Sequence, residues 1–407
     1  MPNGFTLILS PVENIEAACV FSYHKTGVRD NPIDIRGASY LYQYLMFLGT
    51  ENLDPYDRIM FIKKNGGISI GRVNYDNSIF YQVIPDDKIN NALWLESERI
   101  KSLKITDRDI NIQKGNIYKR IYRLMNSNIG FRARDWVRAK VFENTVYEIP
   151  VYGSVEKIRT FSNQEVKNTY EFYRNPSDII MVISGRFNTS QIIQWVEKHF
   201  SYNVFMKFPR QRNYVINEPH KKYINKNWLI KDLAKNFVCL GIRAPGKLSY
   251  DHLYFEFIRY YLLDTRISKL EKMINQVNNL DVKITYEYSN HIESNALIMK
   301  MDSSTRLEID KAKYILEKEL EALQKFPLSN ANLKMVKSLM EIDFQKNMSK
   351  LDRRSYILAE HYHLFGNLNF EKNILKRIRK ISQYDIIEMS KKYLVKENLV
   401  VLNVYKK

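Results

Sequence analysis

The sequence has few cysteines and no long hydrophobic run, and both absences narrow what the chain can be. Its 407 residues include two cysteines, Cys19 and Cys239, and no C-x-x-C pair, so neither a zinc ribbon nor a dithiol redox motif is predicted. Both cysteines lie in apolar, strand-like stretches, which predicts buried structural thiols. The apolar runs are far shorter than the roughly 18 residues that span a membrane. Residues 1–20 have no basic segment before their apolar stretch, so no signal peptide is predicted in this numbering, which favours the cytoplasm without identifying the compartment.

Acidic residues are also in deficit. The 45 Asp and Glu residues face 63 Lys and Arg residues, which gives a formal net charge of +18. The basic residues form no single stripe, and Lys, Asn, Ile and Tyr are abundant throughout, a pattern typical of AT-rich coding bias. We therefore expect no nucleic-acid partner, and binding to another acidic partner stays an open alternative.

No sequence motif supports nucleotide-dependent or serine-hydrolase chemistry. The glycines Gly66, Gly67 and Gly71 follow a predicted helix instead of opening one, so they do not form a phosphate-binding loop. No Gly-x-Ser-x-Gly sequence occurs either.

The two halves of the chain repeat one pattern of strands and helices. A chain of this length predicts two domains of about 200 residues. Apolar strands followed by amphipathic helices recur in both halves, and Ser162 and Ser382 are both predicted N-caps of a helix that precedes a β-branched strand. The matched segments are 18–50 with 236–265, 104–128 with 326–349, and 161–187 with 381–407. The repeat predicts an α+β protein of two homologous domains, each a mostly antiparallel sheet with helices packed on one face. We predict an N-terminal domain at 1–205, a polar, proline-marked linker at 206–226 and a C-terminal domain at 227–407.

Several short segments, in order and at matching spacing, resemble one known family. They are Asn3-Gly4, Gly27-Val-Arg-Asp-Asn-Pro32, Gly37-Ala-Ser-Tyr40, Met46-Phe47, Gly49-Thr50, Asn65-Gly66-Gly67, Trp94-Leu-Glu-Ser-Glu-Arg99 and, in the second half, Asp264-Thr-Arg-Ile267. Together they resemble the pitrilysin–insulinase zinc metallopeptidases, above all the short two-domain, processing-peptidase-like members. The resemblance covers most of the chain and implies a clamshell arrangement of the two domains.

The resemblance also implies where a zinc site would lie. Active members bind zinc through His-x-x-Glu-His on a helix and through a distal glutamate. These positions fall on Tyr40, Gln43, Tyr44 and, within a residue or two, Lys119. The first three lie at i, i+3 and i+4 of a predicted apolar helix, so they are expected to share one side of it. Neutral tyrosines, an amide and a lysine are poor zinc ligands, and Gln43 cannot act as a general base. We therefore predict a degenerate site with no catalytic residue, no metal ligand and no cofactor in this chain, zinc being expected only in a partner subunit.

Two further segments correspond to peptide-binding positions in the family. The resemblance places the edge of the substrate-binding sheet at 68–75, with Ile68, Ile70 and Gly71 as possible peptide contacts. It also places an Arg-and-Tyr pair that assists catalysis in related inactive chains, and Arg266 and Lys272 lie in that region. Lys272 keeps a charge without the planar guanidinium, and the matching tyrosine is missing at Asn279.

These observations support two hypotheses about function. The first is a pseudoenzyme: the non-catalytic, peptide-chamber-forming subunit of a heterodimeric zinc peptidase, whose active homologue is its partner. The alternative is a purely structural subunit of a larger complex without peptide handling.

Overall fold

A computed structural model describes residues 1–201, 213–216 and 218–407 of the chain. Part of the predicted linker, at 206–212 and 217, lies outside the described residues. Within the remainder of that segment a strand begins at Ile224 and runs to Ile230. The strand resembles a linker in sequence because four of its seven side chains are exposed, and three of these four are the polar residues Asn225, Lys226 and Asn227.

The chain divides into two compact units, and each is discontinuous in sequence. Unit 1 consists of Met1–Arg123, Ile149–Arg212 and Gln345–Phe370, and unit 2 consists of Leu124–Glu148, Asn213–Phe344 and Glu371–Lys407. Each unit therefore includes one segment from the opposite half of the sequence. The domain boundaries at 205 and 227 and the clamshell arrangement stay predictions.

Unit 1 contains a five-stranded sheet in the order β1-β5-β2-β4-β3. Its strands are β1 Thr6–Pro11, β2 Ala17–His24, β3 Ile68–Val73, β4 Ser78–Pro85 and β5 Ile179–Gly185. β1 pairs with β5 in parallel, and the other three pairings are antiparallel.

Unit 2 repeats this sheet in the order β6-β10-β7-β9-β8. Its strands are β6 Ile224–Ile230, β7 Asn236–Pro245, β8 Lys283–Tyr288, β9 Ser294–Ser303 and β10 Leu399–Lys406. Again the β6–β10 pair is parallel and the other three are antiparallel. The identical strand order and directions confirm the internal repeat and the two-domain α+β fold of mostly antiparallel sheets.

Helices occupy most of the remaining described residues. The α-helices are, in chain order, α1 Tyr42–Leu45, α2 Pro55–Lys64, α3 Ile89–Lys101, α4 Asp107–Ser127, α5 Ile129–Val141, α6 Val155–Ile158, α7 Asn163–Tyr173, α8 Thr189–Phe200, α9 His252–Leu263, α10 Lys269–Glu271, α11 Arg306–Lys325, α12 Asn330–Met348, α13 Leu351–Phe365, α14 Glu371–Lys380 and α15 Gln383–Tyr393. Short 3₁₀ turns lie at Val28–Asp30, Ile33–Ile35, Ala38–Leu41, Asp86–Lys88, Pro176–Asp178 and Lys396–Asn398, and a π-helix at Lys272–Val277.

The predicted helix starts at Ser162 and Ser382 are confirmed. Each serine side chain accepts a hydrogen bond from the backbone N–H three residues on, and the acidic residue there, Glu165 or Asp385, accepts one from the serine N–H. This reciprocal arrangement is a capping box, and it satisfies two N–H groups that a helix start otherwise leaves unpaired. The two helices, α7 and α15, end at Tyr173 and Tyr393, and a short 3₁₀ turn connects each of them to the next strand, β5 or β10.

We expect Ser162→Ala and Ser382→Ala each to lower the free energy of unfolding by about 1 kcal/mol, because each removes the capping acceptor. Urea unfolding followed by circular dichroism measures the loss. The matched control is Ser190→Ala, at an exposed position in the first turn of α8, which is capped by Asn188. A loss at Ser190 as large as at the caps would contradict the assignment.

The sheet of unit 1 is covered on both faces. Alternate residues of β2 and β5, such as Val20 and Ile183, pack with apolar side chains of α3 and α8. The opposite face packs against α13, where Phe21 and Tyr23 contact Tyr356 and His363. This second helix layer was not predicted, and it explains why every residue of β5 is buried.

Unit 2 uses α5 in the corresponding way. A Cβ at Gly241 in β7 would lie 2.5 Å from Val141 and 2.6 Å from Val137, so the missing side chain lets the helix approach the sheet closely.

Cys19 and Cys239 are both free and buried, as predicted, and burial raises the pKa of Cys239 to about 12. Among the described residues no helix is both long and apolar enough to cross a membrane.

Candidate degenerate metal site

The helix that carries the predicted site is short. It begins as a 3₁₀ turn at Ala38–Leu41 and continues as the single α-turn α1. Gly37 precedes it with a φ of +107°, a left-handed conformation that favours glycine. The sequence had predicted one amphipathic helix through this stretch, but the structure has eight helical residues in two different geometries.

A contact between two glycines fixes the start of this helix. A Cβ on Gly37 would lie 2.7 Å from the Cα of Gly153, and a Cβ on Gly153, whose φ is +76°, would lie 2.4 Å from the carbonyl oxygen of Arg36. Neither distance leaves room for a side chain. The backbone segments 36–37 and 152–153 therefore contact each other directly, and the position of Tyr40 depends on that contact.

The structure brings Tyr40, Gln43 and Tyr44 together, as their spacing predicted. The Tyr40 and Tyr44 rings meet edge to face with centroids 6.4 Å apart, and Tyr40 is buried, while Gln43 and Tyr44 are half-buried. Burial, reinforced by Tyr44, raises the pKa of Tyr40, and a side-chain hydrogen bond with Gln43 acts in the opposite direction. At neutral pH Tyr40 is therefore a neutral phenol.

The cation in contact with this cluster is Arg120. Its Nη1 atom donates a hydrogen bond to the Tyr44 hydroxyl at 2.7 Å. Lys119, the residue named from the sequence, is exposed on the same helix, α4. Neighbouring helical residues point about 100° apart, so only one of the two can face Tyr44. The resemblance placed the fourth position at Lys119 to within a residue or two, and that placement stays a prediction; the contact with Tyr44 is made by Arg120.

The three residues of the predicted peptide edge lie on β3, the last strand in the sheet order of unit 1. Ile68 is 57% exposed, and Ile70 and Gly71 are half-buried. A Cβ on Gly71 would lie 2.5 Å from the Phe47 ring and 2.7 Å from the Phe80 ring. Since Phe47 follows Tyr44 by three residues, the tyrosine cluster and β3 are neighbours.

Arg266 and Lys272 lie in unit 2 and are not equivalent. The Arg266 guanidinium forms ion pairs with Asp264 at 2.7 Å and Asp343 at 2.6 Å. The two carboxylates therefore occupy the guanidinium N–H groups of Arg266 that would otherwise donate hydrogen bonds to a peptide carbonyl. Lys272 is exposed at the start of the π-helix.

Two family models match the chain. "Insulinase (Peptidase family M16)" matches residues 13–154, and "Peptidase M16 inactive domain" matches residues 160–340, so together they cover more than half of the sequence. The chain belongs to peptidase family M16.

Relatives and solved structures of the M16 family resemble the chain over nearly its full length. Zinc protease PqqE of Helicobacter pylori is 20% identical over 89% of this chain and 82% of its own, and the uncharacterized zinc protease YmxG of Bacillus subtilis is 18% identical over 90% of each. A protease structure from Helicobacter pylori has a TM-score of 0.89 at 16% identity, covering 99% of this chain and 97% of its own. A chain of complex III2 from Candida albicans has a TM-score of 0.76 at 13% identity, covering 100% and 94%.

The residues of this M16 chain do not fit a zinc ion at the family position. Zinc in proteins is held by imidazole, thiolate and carboxylate groups, whereas the side chains here are two phenols, an amide and a guanidinium. Elsewhere in the described ranges no group of three or more His, Cys, Asp and Glu side chains could hold a metal. No hydrolytic step can be derived from these residues.

A separate concavity of about 700 Å³ lies in unit 2, between α5 and the strand β6. Its lining includes two tryptophans, Trp136 and Trp228, whose rings meet with centroids 6.2 Å apart. None of the predicted site residues lines it.

Proposed function

We propose that this M16 chain is a non-catalytic homologue that forms part of the peptide chamber of a heterodimeric zinc peptidase, with an active homologue as its partner. The observation that carries the proposal is the replacement of the whole metal and base constellation by Tyr40, Gln43 and Tyr44 beside Arg120. A single lost ligand could leave weak zinc binding, but these four side chains offer neither the ligands nor the base.

The edge strand β3 supports a role in holding peptide. It ends the sheet of unit 1, so an extended peptide can add to it as a further strand through backbone hydrogen bonds. At Gly71 the strand has no side chain, because the Phe47 and Phe80 rings occupy the space that a Cβ would need.

Co-purification with an active M16 homologue from the same organism tests the proposal. We expect the chain alone to cleave no peptide and to contain no zinc, and the pair to form a stable complex that cleaves peptides at least tenfold faster than the homologue alone. A complex that forms without any gain in cleavage would favour the structural alternative. Failure to bind any M16 homologue of the organism would contradict the proposal.

Variants of β3 separate peptide handling from assembly. We expect Ile68→Asp to reduce the cleavage gain while the complex still forms, because the new charge lies on the edge where peptide would add. The matched control is Ile33→Asp, at a similarly exposed isoleucine of unit 1 outside the strands. Equal effects of both substitutions on cleavage would argue against peptide binding at β3.

A structural subunit without peptide handling is the second candidate, favoured by Arg266. Its guanidinium is engaged by Asp264 and Asp343 and is not presented to a ligand. The Candida albicans neighbour, a chain of complex III2, has the same fold within a larger assembly.

A further inference from the structure

Two arginines are fully buried in unit 1, away from the tyrosine cluster. Arg58 of α2 is 1% exposed and Arg99 of α3 is 0% exposed. Both guanidinium carbons face the Phe47 ring, at 5.9 and 5.1 Å from its centroid, and that of Arg99 also lies 4.9 Å from the Phe80 centroid. Aromatic faces attract cations, but they accept no conventional hydrogen bond in the guanidinium plane.

Most of the donors on these two groups have no acceptor. Among the described residues none accepts a hydrogen bond from Nε, Nη1 or Nη2 of Arg58, or from Nε or Nη2 of Arg99, although all five atoms are buried. Arg99 is paired through Nη1 alone, which lies 3.2 Å from Glu96 Oε2, and that oxygen is itself buried without a hydrogen bond. Buried donors in folded proteins are nearly always satisfied by protein, water or an ion, so five in one place call for a ligand.

The charges around this pair do not balance by contact. Glu96 is the ion-pair partner of Arg99, and within the described ranges no carboxylate lies within 4.0 Å of the Arg58 guanidinium. The Glu98 carboxylate is near, but its Oε2 accepts hydrogen bonds from Thr50, Asn52 and Ser102, which are all neutral. Burial, reinforced by Arg99, lowers the pKa of Arg58 to about 9, while the Glu96 and Glu98 carboxylates act in the opposite direction, so it is still a cation at neutral pH. A buried guanidinium whose donors meet no acceptor is unfavourable even with carboxylates in the vicinity.

We propose that Arg58 and Arg99 together bind one buried monovalent anion, of the size and charge of chloride, beside the Phe47 ring. Guanidinium groups form strong, charge-assisted hydrogen bonds to anions, and two of them lie here at 5.9 and 5.1 Å from the centroid of one ring, Phe47. Such an ion would supply the acceptor that all three nitrogens of the Arg58 guanidinium lack. The enclosure of both side chains favours a small ion over a peptide carboxylate, because a peptide would need an opening to solvent.

The anion would stabilise the floor under β3. Phe47 contacts both guanidiniums and also lies against Gly71 of β3. The ion is therefore structural, and its effect is expected in stability and not in chemistry.

Thermal unfolding of the full chain tests the site, with sodium bromide as the probe and sodium gluconate holding the ionic strength constant. Binding to the folded state alone raises Tm in a saturable way, by about 5 °C when bromide exceeds its Kd a hundredfold. We expect this rise in the wild type and in Arg108→Met, an exposed arginine of α4, and none in Arg58→Met. Absence of the rise in the wild type, or an equal rise in Arg58→Met, overturns the proposal.

Crystals grown in bromide give a second test that does not depend on the folding of a variant. We expect one anomalous peak within hydrogen-bonding distance of both guanidiniums. Density there without anomalous signal would indicate water, and would overturn the proposal.

Discussion

The triple variant Tyr40→His, Gln43→Glu, Tyr44→His is expected to contain no stoichiometric zinc, and adding Arg120→Glu is expected to raise its zinc affinity by several orders of magnitude. The triple change supplies two imidazoles and a base, but it leaves the Arg120 guanidinium, whose Nη1 atom lies 2.7 Å from the Tyr44 hydroxyl in the wild type. Two unit charges 4 Å apart interact by roughly 4 kcal/mol at an effective dielectric near 20, so a divalent ion meets about 8 kcal/mol of repulsion. Zinc per chain by elemental analysis, and affinity by competition with a coloured chelator, measure the outcome.

Lys119→Glu in the same triple background is the matched control, because it makes the same charge change one residue away. We expect it to gain much less affinity than Arg120→Glu, since both residues are exposed but Arg120 contacts Tyr44 and Lys119 points about 100° away from it. A larger gain with Lys119→Glu would assign the fourth position to Lys119. Stoichiometric zinc in the triple variant itself would show that the cation does not prevent binding.

Alanine at Gly37 or Gly153 is expected to lower the free energy of unfolding by about 3 kcal/mol or more. Each glycine has a positive φ, which costs another residue about 1–3 kcal/mol. In addition, each new Cβ would meet backbone atoms at 2.7 or 2.4 Å, which no rotamer change can relieve. A domain has only about 5–15 kcal/mol of stability, so either change removes a large part of it.

Gly115→Ala, in the same unit, is expected to raise the free energy of unfolding instead of lowering it. Gly115 lies inside α4, and a Cβ there would have no neighbouring heavy atom within 4 Å, so alanine should stabilise the helix by roughly 0.5–1 kcal/mol. Guanidinium unfolding of the three variants measures all of these changes. Losses below about 1 kcal/mol at both Gly37 and Gly153 would contradict the close backbone contact.

The features that could be predicted from the sequence either depend on residues close together in the chain or occur in both halves of it. Ser162 and Ser382 were identified as caps because a capping box involves residues three apart. The fold could be predicted from the internal repeat, because each strand or helix assigned in one half is supported by its counterpart in the other half. The grouping of Tyr40, Gln43 and Tyr44 followed from helical spacing, which a 3₁₀ turn joined to an α-turn still preserves.

What could not be predicted depends on contacts between distant residues. Nothing near α13 in sequence indicates that its tyrosine and histidine pack on β2, more than 300 residues earlier. The contact of Arg120 with Tyr44 depends on how α4 is rotated about its axis. A sequence match that is uncertain by a residue or two cannot determine that rotation. The burial of Arg58 was hidden because six of the ten residues of its helix, α2, are exposed, including its immediate neighbours Asp57 and Ile59.

The inclusion of residues 345–370 in unit 1 has a consequence for synthesis on the ribosome. The sheet of unit 1 is complete in sequence once β5 has emerged, yet the helix that covers its second face, α13, is made more than 160 residues later. During that interval Phe21, Tyr23 and their neighbours would be exposed on an unfinished surface. Translation therefore creates a period in which the nascent chain is vulnerable to aggregation and is a natural client for chaperones.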